Sequence, residues 1–440
     1  MSNQRLGSGL ESAGKNYLRK RGSLSIAGPR ELLIRTPINA AYEPNGRVAE
    51  DTLRLWGPTS EVVDPVPETL SVDEDEPLTF DQEVVWAGAA ERHYGHFLTE
   101  ATGRLWALMA GQPLASVPAI FSSRTSARFA REWLSAFGIC LADVPEGRVV
   151  RFTRMFVPEP SLRLRAWLAP EFRETHLHAR RGLRVEALGP KGVVWLSRSQ
   201  LSFNPRAAYD ECLLEWLLRD HIELINPEAM PLASQVAAVE ASTAVTGILG
   251  SAFYTMLMAE EPPPLVGICP PRVSSTYVGI ARLLGVEAKF MRGLTALPLN
   301  PRRPKSIDGG FRLLIPEVLR ELTATVLPEL SDDPLLATLA RSKRLATAVA
   351  CGSPDDLDTA IAGVVLEPYS DVRRMNLGRI FATAGLPRCA LEQYAIAAHL
   401  ATGHTKEAIQ AAREVGGNGN GDAASPAIRR VLDAYQRRCQ

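Results

Sequence analysis

Gly192-Val193-Val194-Trp195-Leu196-Ser197-Arg198-Ser199 is a glycine and four apolar residues that stop abruptly on two serines and an arginine. An unbroken apolar run with a polar end is the pattern of a strand buried on both faces of a parallel sheet. The following residues repeat the theme. A helix is predicted over residues 206–219, then a strand over 221–225 that ends in Asn226-Pro227-Glu228. A second helix is predicted over 232–241. A third strand, 243–246, runs into Gly247-Ile248-Leu249-Gly250-Ser251, and a helix opens at Ala252. Strand and helix in strict alternation predict an open α/β sheet with helices on its faces.

In such sheets ligands gather at the carboxyl ends of the strands. Three successive ends here carry Ser197, Arg198 and Ser199, then Glu228, then Gly247, Gly250 and Ser251. Two glycines at a strand-to-helix turn let backbone amides approach an anion, and Arg198 supplies a cation, so together they suit a diphosphate. Glu228 suits sugar or ribose hydroxyls. No metal is needed for that charge balance.

Upstream, the alternation recurs. Strands are predicted over 84–87, 117–121 and 149–157, with helical periodicity over 98–110 and 126–137. A basic helical stretch carrying Arg173, His176, His178, Arg180, Arg181 and Arg184 then leads to the second series. His176 and His178, two residues apart, fall on different helix faces and do not make a metal pair.

Between the first two strands lies ERHYGHFLTEATGRLW, residues 91–106. Read as a helix from Gly95, it sets His96, Glu100 and Arg104 in one polar stripe at i, i+4 and i+8. Phe97, Ala101, Leu105 and Leu108 form an adjacent stripe that faces a core. His96 can act as a general base with Glu100 orienting it and Arg104 holding Glu100 ionised, or Glu100 can be the base itself. His93, before the helix start, is placed for contact with an acceptor. A solvated, ion-paired helix face is the competing reading of the same spacing.

Composition sets the limits. At 440 residues the chain is too long for one ordinary core, so two or three domains are expected. Lys plus Arg and Asp plus Glu balance at 49 each, which gives no reason to expect nucleic acid or an anionic membrane as partner. The six cysteines show no CxxC spacing and read as reduced thiols. No apolar run reaches the ~18 residues needed to span a bilayer, and the start lacks an apolar signal core, so a cytoplasmic protein, peripheral at most to the inner membrane face, is expected. Residues 1–30 read as a basic arm, and 61–76 as an acidic, proline-interrupted connector whose Asp73-Glu74-Asp75 is a loop rather than a metal motif.

HYGHFLTEATGRLW, VVWLSRS, INPEAMPLASQV and VTGILGSAF, in that order, resemble glycosyltransferase family 61, found in capsule and other polysaccharide gene sets. The resemblance covers roughly residues 84–300. It implies the GT-B arrangement of two facing Rossmann-like domains and inverting transfer from a nucleotide-sugar, expected to be a UDP-sugar, to a glycan or polysaccharide acceptor, with no cofactor. Many members carry a histidine in the glycine turn where this chain has Leu249. The expected division is 1–80 arm and connector, 81–190 acceptor-side domain, 191–310 nucleotide-sugar domain and 311–440 helical tail. The tail, with loosely tetratricopeptide-like paired helices and a Gly/Asn-rich linker over 416–424, reads either as a docking module for a protein partner or as a helical cap. A non-catalytic scaffold that binds a glycan or nucleotide is the alternative function.

Overall fold

The apolar runs picked out by sequence sit at the centres of two sheets. A computed structural model describes residues 18–56, 61–62, 66–71, 77–123, 126–142, 144–199, 208–269, 273–296, 311–341, 357–366, 368, 370–400, 410–412 and 414. Asp73, Glu74 and Asp75, the 416–424 linker, the first 17 residues of the basic arm and most of the last tail segment lie outside them.

The first sheet contains β1 (Ile26–Arg35), β2 (Ala41–Tyr42), β3 (Leu78–Gly88), β4 (Ala119–Phe121) and β5 (Val149–Pro158), in the order β2-β1-β5-β3-β4. β3, β4 and β5 are parallel, as the alternation predicts, whereas β1 runs antiparallel to β5, pairing Leu33 with Arg151 and Ile34 with Val150. The sheet is therefore mixed. The sequence reading assigned these residues to the arm and connector, but Leu32, Leu33 and Ile34 are three consecutive apolar residues that bury both faces of a strand.

The second sheet contains β6 (Lys191–Leu196), β7 (Ile222–Ile225), β8 (Ser242–Ile248), β9 (Leu265–Cys269) and β10 (Ala288–Arg292), all parallel, in the order β7-β6-β8-β9-β10. This is the doubly wound order 2-1-3-4-5, whose direction reverses between β6 and β8. In the first sheet the parallel strands reverse between β3 and β5. Each reversal opens a crevice at the carboxyl ends of two strands.

One apolar cluster joins the two halves. It includes Val85, Ala87 and Ala119 from the first sheet, Val194, Leu196 and Val245 from the second, and helix residues Phe97, Trp133, Phe172, Val236 and Phe253. Each large apolar side chain so buried contributes about 1.5–3 kcal/mol. The helices α1 (Arg128–Phe137), α2 (Pro170–Gly182) and α4 (Leu232–Glu240) all contribute to it, while α3 (Glu211–Leu218) covers the other face of the second sheet. Glu132 of α1 accepts a hydrogen bond at 2.7 Å from the Leu232 amide at the start of α4, a carboxylate cap thrown across the boundary.

The described helices of the tail pack on the second half. The tail helices Ile315–Thr323, Pro334–Arg341, Leu357–Leu366, Asp371–Thr383 and Pro387–Leu400 share one apolar cluster with Val193, Trp195, Leu213, Leu214, Val266 and Ile268 of the second half. Arg374, fully buried, forks onto Asp210 at 2.7 and 3.0 Å, and Glu392 accepts from the Asp210 amide at 2.9 Å. Ala340, Ala362, Ala390, Ala397 and Ala398 of these helices are buried in this contact. No helix among the described residues is long and apolar enough to cross a membrane.

Candidate active site

The HYGHFLTE stretch begins as a short α-helix, Tyr94–His96, and widens at once into a π-helical turn, Phe97–Ala101. Such turns expose carbonyls that an α-helix would use, and here side chains take them up: Thr99 Oγ1 donates to Gly95 O at 2.7 Å, and Thr102 Oγ1 to Leu98 O at 2.9 Å. His176 of α2 donates from Nε2 to the same Leu98 carbonyl at 2.9 Å. Burial drives the His176 imidazole down to about 3, so it is a neutral structural histidine. The expected apolar stripe holds: Phe97, Ala101, Leu105 and Leu108 are all buried.

The polar stripe holds only in part. His96 Nδ1 hydrogen-bonds Glu100 Oε2, as the i, i+4 spacing predicts. Arg104 does not reach Glu100. The π turn, followed by a 3₁₀ turn over Leu105–Leu108, swings it away, and its guanidinium is buried against the carbonyls of Pro158 and Asp51, the latter at 2.8 Å. Burial lowers it to about 10, still charged at neutral pH.

Arg54 takes the place predicted for Arg104. Its Nε donates to Glu100 Oε1 at 2.5 Å, Nη2 to Glu100 Oε2 at 2.6 Å and Nη1 to Glu91 Oε1 at 2.5 Å, while Nη2 lies 3.2 Å from His96 Nδ1. Arg54 comes from a stretch that gave no signal in the sequence. The short segment carrying it is pinned by Arg104 on Asp51 O and by Trp86 Nε1 on Thr52 O at 3.2 Å, so Arg104 supports the cluster indirectly. Glu100 is almost enclosed, with 10% of its side chain exposed, against 35% for His96. The imidazole is the open member of the pair.

A cavity of about 370 Å³ opens beside this cluster at the carboxyl ends of β3 and β5, the reversal point of the first sheet. Ala87, Gly88 and Val157 form its floor, and Asn39, Arg54, Glu91, Glu100 and Glu159 present polar groups to it. Its size and polar wall fit a sugar unit.

On the second sheet, the β6 and β8 ends meet as predicted. Gly247 has φ +138° and a Cβ there would lie 2.9 Å from Leu196 O, so only glycine lets β8 pass this close to β6. Gly250 lies under Arg198, where a Cβ would come within 3.2 Å of Nη1. Ser197 Oγ and Ser199 Oγ are 2.8 Å apart in the same crevice. Leu249 packs its side chain down against Gly267 of β9. Glu228 is exposed on the turn after β7, with its charge felt by Glu215.

Two acids in this crevice were missed by sequence reading. Glu211 of α3 accepts from the Arg198 amide at 3.0 Å, and Glu215 follows one turn later. Burial pushes them up to about 8 and about 7, with their mutual repulsion adding to Glu211 and the Arg198 charge working against it. Two glutamates four apart inside the apolar ECLLEWLL were the available signal. Among the described residues no three His, Cys, Asp or Glu side chains form a metal ligand set.

The two crevices are joined where the HYGH helix meets the glycine turn. A Cβ on Gly95 would lie 2.8 Å from Ser251 Cβ and 3.4 Å from His93 Cε1, and Tyr94 shares a 2.7 Å hydrogen bond with Thr255 just beyond the turn. The rings of His93 and His96 lie tilted to each other with their centroids 5.0 Å apart. The segment that makes this junction, residues 94–266, matches the family model described as Glycosyltransferase 61. The chain carries a glycosyltransferase 61 domain. That match supports glycosyltransferase activity and implies a sugar donor and an acceptor. No curated protein matches the chain. The glycosyltransferase 61 match includes His96, Glu100, Arg198 and the glycine turn, but β1, β3, Arg54 and the tail all lie outside it.

Proposed function

We propose that this protein transfers a sugar from a nucleotide-diphosphate donor, a UDP-sugar, to a hydroxyl of a glycan, with inversion and without a metal. The observation that carries the reading is the contact of Gly95 with Ser251, which sets an open imidazole beside a cradle suited to a diphosphate. In this reading the two sheets are the two Rossmann-like units of a GT-B arrangement, residues 81–190 serving the acceptor and 191–310 the donor.

The diphosphate lies against Arg198 and the amides of Gly250 and Ser251, which neutralise the charge that develops as it leaves. The acceptor sugar fills the cavity beside Glu91 and Glu100, with His93 contacting it on the donor side. Its hydroxyl proton passes to His96 Nε2 as the oxygen attacks the anomeric carbon, and the glycosidic electron pair departs with the diphosphate. Both oxygens of Glu100 are engaged by Arg54 and His96. Those contacts favour Glu100 as the group that orients the imidazole over Glu100 as the base.

Calorimetric titration of UDP and a panel of UDP-sugars against the wild type and Arg198→Ala tests the donor site. Losing charge-assisted hydrogen bonds worth about 1.5–3 kcal/mol should weaken binding by about 10- to 100-fold. Unchanged affinity, or turnover abolished by a chelator and restored by divalent ions, would overturn the reading.

A further inference from the structure

We propose that Glu211 is a positioning residue for the donor: from the first turn of α3 it holds the Ser197-Arg198-Ser199 turn so that the Arg198 guanidinium lies over Gly250, against the diphosphate. The inference rests on the reading of this crevice as the donor site. Glu211 does not touch the donor itself; it acts through Arg198.

The turn that ends β6 has three consecutive amides, and each has an acceptor within the protein. Ser197 N donates to the Ile225 carbonyl of β7 at 2.9 Å, Arg198 N to Glu211 Oε1 at 3.0 Å and Ser199 N to Ser197 Oγ at 3.1 Å. A phosphate entering the crevice therefore meets the Arg198 side chain rather than this backbone. That side chain runs along Gly250, where a Cβ would lie 3.5 Å from Arg198 Cδ, 3.4 Å from Cζ and 3.2 Å from Nη1. The first amide ties the turn to β7 and the third ties it to itself. Only the middle one ties it to α3, so Glu211 sets the point from which the arginine reaches out.

A second contact from the same helix supports the first. Glu215, one turn on, interacts with the Ser197 and Ser199 hydroxyls, which are 2.8 Å from each other, and its Oε1 has no hydrogen-bond partner. Both acids are buried, Glu211 at 3% exposure. The groups that face them are Trp195, Ser197, Arg198 and Ser199 from β6 and its turn, Glu228 from the turn after β7, Cys212 of α3, and Cys389 of the tail helix Pro387–Leu400, with Asp210, Arg374 and Glu392 behind. Burial first, and then the charge of Glu215, push Glu211 up to about 8 against the pull of Arg198. At pH 7 it is mainly a neutral acid whose carbonyl oxygen accepts from the Arg198 amide. Above that value it becomes an anion beneath the place of another anion. Binding of a diphosphate then requires a proton to return, and affinity falls as pH rises.

Calorimetric titration of UDP into the full chain at pH 7 to 8.5 tests this with the wild type, Glu211→Leu and Glu211→Gln, each also melted thermally. UDP holds a constant charge over that range, because its last phosphate proton leaves near pH ~6. Leucine removes the acceptor and should weaken UDP binding about tenfold at pH 7, and glutamine, whose carbonyl oxygen can take the Arg198 amide, should restore it. Wild-type affinity should fall about fourfold from pH 7 to 8.5, as for one group titrating near 8, and that of Glu211→Gln by less than about twofold. Wild-type UDP affinity in Glu211→Leu, whatever its melting temperature, would overturn the proposal. Should that variant not fold, a Glu211→Gln profile as steep as the wild type's would overturn it instead. If the wild type binds no UDP, the donor reading falls and the inference with it; if binding is lost in Arg198→Ala but kept in Glu211→Leu, the inference falls alone.

Discussion

Arg374→Met should destabilise the folded chain by about 4 kcal/mol, and the reason lies in what the substitution strands. Arg374 is fully buried and donates to Asp210 at 2.7 and 3.0 Å, to Gln393 Oε1 at 2.6 Å and to the Pro368 carbonyl at 2.9 Å. Burial alone would raise the Asp210 carboxyl, but the Arg374 charge and its hydrogen bonds outweigh it and hold the group below its ordinary value. With methionine in place, Asp210 keeps Arg312 at 4.0 Å and the Gln393 amide at 3.5 Å. Two routes are then open to it. Remaining charged in a broken buried pair costs about 3–5 kcal/mol. Taking up a proton at pH 7 costs an ordinary aspartic acid about 4 kcal/mol, roughly three pKa units at about 1.4 kcal/mol each. The two estimates agree.

The pH dependence has a definite sign. A carboxyl held below its unfolded value contributes stability that is fully present above that value and lost only as pH falls through the folded one. The wild type therefore keeps this contribution from pH 7 to pH 5. The variant, if it protonates Asp210, gains about 1.4 kcal/mol per unit over the same range, so the gap between the two narrows. Guanidinium denaturation followed by tryptophan fluorescence at pH 7, 6 and 5 measures both effects. A loss under about 1 kcal/mol with no narrowing would refute the claim that the tail is clamped to the second half through this ion pair.

Two further outcomes follow from the packing. Gly95→Ala places a methyl 2.8 Å from Ser251 Cβ, so the helix and the glycine turn must part; transfer should fall about 10²-fold with modest loss of stability, and a wild-type rate would mean the junction is not catalytic. Removing everything after residue 310 uncovers Val193, Trp195, Leu213 and Val266, so the truncated chain should be insoluble or bind hydrophobic dyes, whereas a soluble, cooperatively unfolding fragment would make the tail a separate module.

Much of the architecture was legible because it rests on local pattern. The run Val193 to Leu196 can only be a strand buried on both sides, and the βα alternation after it yields the parallel second sheet. The His96–Glu100 contact was legible too, since i, i+4 neighbours stay close even through a π turn. Arg104 was misread because the turn's cause is not local: Thr99 and Thr102 could be seen in the sequence, but His176, which shares the Leu98 carbonyl, is 74 residues beyond Thr102. β1 was hidden by Pro29, Arg30 and Glu31, which mask the apolar Leu32-Leu33-Ile34 that follows. Arg54 had no signature at all. A lone arginine acquires its meaning only when the fold carries Glu91 and Glu100 to it.

The central claim is that the proton-accepting pair and the donor cradle are adjacent but separate, and comparing His96→Ala with Glu100→Gln in both transfer rate and UDP affinity tests it most directly. The account predicts transfer by His96→Ala reduced about 10²- to 10⁴-fold with UDP affinity unchanged, and a smaller fall for Glu100→Gln, whose amide can still accept from Nδ1. Near-normal transfer by both variants would contradict it, leaving the stripe as an ion-paired helix face with no part in the chemistry.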